Sequence, residues 1–157
     1  MTRRILENIS RQLQALKVLC FLQEEEFAHL KEFRPQAVGA LEFSIQELMR
    51  QIASERAEVL WLMRAINPAA NRLRDLAETF GDEWDKASRI LEDIDGLEQA
   101  CAKQAEKSHA LALALDQQSG GYLEFFREKL TPTKLSYGPR GLFAKAKPAP
   151  AMMRGAL

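Results

Sequence analysis

Residues 6–30, LENISRQLQALKVLCFLQEEEFAHL, decide the fold. Leu6, Ile9, Leu13, Leu16, Cys20, Gln23, Phe27 and Leu30 recur at alternating steps of three and four, with only Gln23 polar. A helix turns once in about 3.6 residues, so this spacing lays the side chains along one stripe. The next stretch repeats the pattern with Val38, Leu41, Ile45, Leu48, Ile52, Glu55, Val59, Leu62 and Ile66, where Glu55 alone is out of character. Between the stripes stands Phe33-Arg34-Pro35-Gln36, and Pro35 suits the first turn of a helix, where its missing N–H costs nothing. So short a connection makes the helices run antiparallel.

Asn67-Pro68 predicts the end of the second helix and the start of a third element. A short helical stretch with Leu73, Leu76 and Phe80 follows, closed by Gly81, and Asp82 then caps a last helix over about 83–130. Its seam reads Ala87, Ile90, Ile94, Leu97, Cys101, Gln104, Ser108, Leu111, Leu115, Gln118, Tyr122, Phe125. Gly120-Gly121 predicts a kink or fraying. No strand-length alternating segment and no long internal repeat occurs. The expected fold is all-α: an elongated antiparallel hairpin plus a long third helix in a coiled-coil-like bundle, 1–130, followed by a flexible basic tail, 131–157.

Charge sharpens that division. The 157 residues hold 22 basic and 22 acidic side chains. Five of the basic ones (Lys134, Arg140, Lys145, Lys147, Arg154) lie in 131–157, which has no acid and four of the six prolines. Removing those five leaves 17 basic against 22 acidic, so the body carries −5 and the tail +5. An acidic body argues against nucleic acid, whose binding rests on phosphate neutralisation. No apolar run reaches the ~18 residues of a membrane span, and no export signal marks the N-terminus, so the expected compartment is the cytoplasm without stable membrane insertion. Cys20 and Cys101 belong to no CxxC pair and read as small apolar thiols in a reducing compartment.

Little speaks for catalysis. Glu26-x-x-His29 and Glu106-x-x-His109 match the Glu-x-x-His pairs of di-iron bundles, but both histidines fall on the flank or outer face of their helices, whereas metal ligands must converge inward. No phosphate loop and no nucleophile elbow is present. Neither an enzyme nor a cofactor is expected, and Glu55 is expected to pair with a neighbouring Arg or Gln.

The stretch Ala110–Leu115 carries more information. Leu111 and Leu115 share one helix face while Leu113 points the opposite way. A helix that is apolar all round calls for burial on more than one side. Phe125-Phe126 poses the same problem, because adjacent aromatics cannot share one seam. Surplus apolar surface of this kind fits a partner helix in a groove. In the tail, Tyr137 beside Gly138-Pro139 reads as a turn displaying one aromatic anchor.

Taken together, the opening hairpin (Leu22-Gln-Glu-Glu-Glu26, Ser54-Glu-Arg-Ala-Glu-Val-Leu60), the long last helix and Tyr137-Gly138-x-x-Gly141 beyond it resemble the FlgN family of flagellar export chaperones. The resemblance implies a holding function of type III export, without catalysis. It implies that the hook-associated proteins FlgK and FlgL bind at Leu111, Leu113, Leu115, Tyr122, Phe125 and Phe126. It also implies that the export gate protein FlhA is engaged by Tyr137, Gly138 and Gly141. The alternative reading is a generic coiled-coil adaptor that forms a homo-oligomer through its seams.

Overall fold

The computed structural model describes residues 1–119 and two short strands, Leu135–Tyr137 and Phe143–Lys145. Helix α1 spans Thr2–Lys31 and α2 spans Pro35–Ile66. A linker then holds a 3-10 turn (Leu73–Leu76), the short α3 (Ala77–Phe80) and a second 3-10 turn (Gly81–Glu83) before α4 (Trp84–Ser119). The helical body is all-α, as its periodicity predicts.

Cross-helix pairs give the directions. Arg4 and Asn8 meet Glu58, Arg11 meets Glu55, and Glu26 meets Glu42, so α2 descends as α1 rises. Cys20 meets Leu97, Cys101 meets Leu16, and Leu30 clusters with Leu115, so α4 rises beside α1. The bundle is therefore up-down-up. Extensive contacts join α1 to α2 and α1 to α4, and α2 approaches α4 only sparsely. The first helix is the central one.

That position explains the burial pattern of α1. The predicted seam is buried or half-buried throughout, and its Leu16–Cys20 portion lies against α4. Beside it runs a second seam, Ile5, Asn8, Gln12, Ala15, Leu19, Leu22, Glu26, His29, which is also buried or half-buried and faces α2. Four of these eight are polar, so hydrophobic periodicity alone conceals them. Two adjacent heptad stripes let one helix serve two neighbours. Full burial of Leu16, Leu19, Ile45, Ile52 and Leu62 stabilises the fold by about 1.5–3 kcal/mol for each side chain.

Polar groups set the register. Arg11 grips Glu55 through two hydrogen bonds of 3.0 and 2.8 Å, which answers the expectation of an arginine partner for that carboxylate. Gln12 donates to Asn8, and Asn8 donates to Glu58, so the polar members of the second seam are satisfied at this end.

The turns follow from local chemistry. At the α1–α2 tip, the Phe33 N–H bonds the Leu30 carbonyl and the Arg34 N–H bonds the His29 carbonyl, a Schellman closure. Its left-handed position, normally glycine's, is held by Phe33 with φ 54°. Pro35 opens α2. Gly81, with φ 53°, ends α3 in a conformation that suits a residue without Cβ. In the linker, Asp75 accepts the backbone N–H groups of Asn71 and Arg72 at 2.9 Å each, and these bonds hold its carboxyl below the usual range. Phe80 packs edge-on against Trp84 at 5.9 Å and closes the base.

Three expectations change. Asp82 lies inside the second 3-10 turn, which runs directly into α4, rather than at a cap position. Gln118, placed on the α4 seam, is exposed, because the supporting hairpin ends at this level. Leu135–Tyr137 and Phe143–Lys145 pair as antiparallel strands with Tyr137 opposite Phe143, a ladder that periodicity over so few residues does not announce. The Gly120-Gly121 kink lies outside the described residues.

Candidate binding surface

The apolar interior is divided. A main cluster runs from Ile5 to Cys101 through all three long helices. A second, small cluster sits at the hairpin tip: Leu30, Val38, Ala112 and Leu115, with Leu111 packed against it. Between the two lies a polar layer of Gln23, Glu26 and Ser108, all buried, with Glu42 reaching in from α2. Burial first, and then the hydrogen bond and charge of Glu42, push the Glu26 carboxyl up to about 9. At neutral pH Glu26 is therefore protonated and donates to Glu42. Gln23 Oε1 and Ser108 Oγ have no hydrogen-bond partner among the described residues. Each such buried polar atom costs about 1–3 kcal/mol. The distal turns of α4 are thus docked by a small apolar patch across a strained polar layer.

The sequence-predicted residues divide sharply on this surface. Leu115 is 6% exposed and Leu111 half-buried, because the hairpin tip already covers that face of α4. Leu113, on the opposite face, is 38% exposed. Tyr122, Phe125, Phe126, Gly138 and Gly141 lie outside the described residues. Tyr137 lies in the first strand, with its backbone paired to Phe143. Of the Glu-x-x-His pairs, Glu106 and His109 are exposed. Glu26 instead points inward, and His29 is half-buried, its Nδ1 without a hydrogen-bond partner among the described residues. Among the described residues no three His, Cys, Asp or Glu side chains gather as metal ligands.

Sequence reasoning missed a further apolar surface on α2, where Phe43, Trp61 and Leu60 are 67%, 62% and 47% exposed. The signal was present: Phe43 and Trp61 are 18 residues apart, about five helical turns, so they stand on one face well off the seam. Next to Leu60 a shallow cleft of about 330 Å³ opens between α2 and α4, floored by Ile9, Val59, Met63, Leu73 and Ile94. The Arg56–Glu98 ion pair bridges its two walls. Loss of water around Arg56 lowers its pKa. These surfaces can cover another apolar side chain; they assemble no acid, base and nucleophile in one place.

Comparison with known proteins agrees with this chemistry. A family model described as "FlgN protein" matches residues 1–143. No curated protein and no solved structure matches. No helix among the described residues is long and apolar enough to cross a membrane.

Proposed function

Because the chain belongs to the FlgN family, which is a family of flagellar export chaperones and not of enzymes, we propose that its clients are the hook-associated proteins FlgK and FlgL. Their C-terminal helical segments dock on the distal part of α4, and the segment with Tyr137, Gly138 and Gly141 then meets the export gate protein FlhA. The work is done in the cytoplasm, as a step of type III export, by holding and release.

One observation carries this reading. Within the distal part of α4, residues 110–115 are apolar all round, yet the bundle covers only the Leu111, Ala112 and Leu115 side, and Leu113 stays wet. An amphipathic client segment laid along Leu113 removes both apolar faces from water. Replacing Leu113 by Asp puts a charge where the client's apolar side chain must sit. Calorimetry with a purified C-terminal segment of FlgK is expected to show affinity reduced by about 10- to 100-fold, with helical circular dichroism unchanged. Tyr137→Ala is expected to spare client affinity and weaken binding to FlhA. Undiminished client affinity in Leu113→Asp contradicts the proposed surface, and undiminished gate affinity removes Tyr137 from the hand-over.

A second reading, self-association, is favoured by Phe43 and Trp61 on the outer face of α2. It uses that face and not the heptad seams, which are already occupied within one copy.

A further inference from the structure

We propose that Cys20 and Cys101 form an oxidisable dithiol, a modification site where a low-molecular-weight disulfide converts the two thiols into one disulfide across the α1–α4 interface. The residues are 81 positions apart in the chain, and the fold brings them together reciprocally. Cys20 Sγ lies 3.8 Å from the Leu97 carbonyl oxygen, and Cys101 Sγ lies 3.9 Å from the Leu16 carbonyl oxygen. In an α-helix the carbonyl of Leu97 accepts the amide of Cys101, and that of Leu16 accepts the amide of Cys20. Each sulfur therefore rests against the backbone bond that ends on the other cysteine. With α1 and α4 parallel, the two side chains face each other at one level of the interface.

The environments assign the order of events. Cys20 is half-exposed and Cys101 fully buried. Burial, and then the neighbouring Cys20 thiol, push the Cys101 thiol well above its ordinary range, so it is the poorer nucleophile. The Cys20 thiolate attacks the reagent RS–SR first, forming Cys20–S–SR and releasing RS⁻, which takes up the proton Cys20 gave up. Cys101 then loses its proton and attacks the Cys20 sulfur, and the second RS⁻ leaves and is protonated. Two cysteine thiols are oxidised, one reagent disulfide is reduced to two thiols, and the product staples the middle of α4 to α1.

The experiment treats the native full-length protein with oxidised glutathione and reads intact mass, free thiols and thermal unfolding without reductant. The expected result is a monomer lighter by two hydrogens with no titratable thiol, and a melting temperature raised by several degrees (about 3–8 °C) that dithiothreitol reverses. Cys101→Ala is expected to stop at the Cys20 mixed disulfide, and Cys20→Ala to take up no glutathione. The proposal is overturned if the folded wild-type protein keeps both thiols or stops at the mixed disulfide. It is equally overturned if the bond forms only between two chains or only after denaturation in urea.

Discussion

Phe33 and Glu26 show how single residues tax this bundle. Phe33 stands in the left-handed position of the tip turn, where an L residue with a bulky side chain costs about 1–2 kcal/mol relative to its usual backbone. Phe33→Gly is expected to raise stability by about 1 kcal/mol in urea unfolding; a loss of stability would mean that the ring's own contacts outweigh the backbone relief. Glu26 enters the fold protonated, with its folded pKa raised above the unfolded value. Such a group contributes fully below the unfolded value, near 4.5, and its contribution is lost as pH rises towards the folded value, about 9. The protein is therefore expected to be more stable at about pH 5 than at about pH 8 through this residue. Glu26→Gln should flatten that part of the profile and add about 1–2 kcal/mol at the alkaline end. An unchanged pH profile in the variant would show that Glu26 does not titrate as its burial demands.

At the scale of the element, α4 is two docking segments in one helix. Its first part is anchored by Ala87, Ile94 and Cys101 in the main core, and its distal part only by Ala112 and Leu115 on Leu30 and Val38. Leu115→Ala is expected to cost about 2 kcal/mol of local stability. Amide exchange should quicken over residues 108–119 and stay unchanged over 87–101; uniform quickening would mean one cooperative unit. Much of this was legible in advance. The stripes from Leu6 and Val38, and the one from Ala87 as far as Leu115, are mostly apolar residues at helical spacing, and the structure buries or half-buries them accordingly. What stayed hidden was the second stripe of α1, because Asn8, Gln12 and Glu26 are buried through hydrogen bonds and pairing rather than through apolarity, and its last member, His29, is polar and only half-buried. The Cys20–Cys101 juxtaposition was hidden for another reason: helix periodicity reports which face a residue takes, but not which distant helix shares it. For the candidate surface, Leu113 was legible from phase alone. Phe43 and Trp61 were passed over because attention to the seam discards what lies opposite it.

For the whole molecule, the arrangement of helices decides what is left for a partner. A central α1 satisfies α2 and α4 on adjacent stripes, and the outward faces of the two flanking helices keep exposed apolar residues: Leu113 on α4, Phe43 and Trp61 on α2. A chaperone of this build needs no active site and no large movement of its core. On the proposed reading, its specificity rests on which outward face a client covers, and its release on how weakly the distal α4 segment is tied down across the Gln23–Glu26–Ser108 layer. The most direct measurement is amide hydrogen exchange of the full-length protein, alone and saturated with a C-terminal helical segment of FlgK. The expected result is client-dependent protection over the distal part of α4 around Leu113, with the outer face of α2 around Phe43 and Trp61 unchanged. Protection confined to α2, or none at saturation, would contradict the assignment of the client to α4.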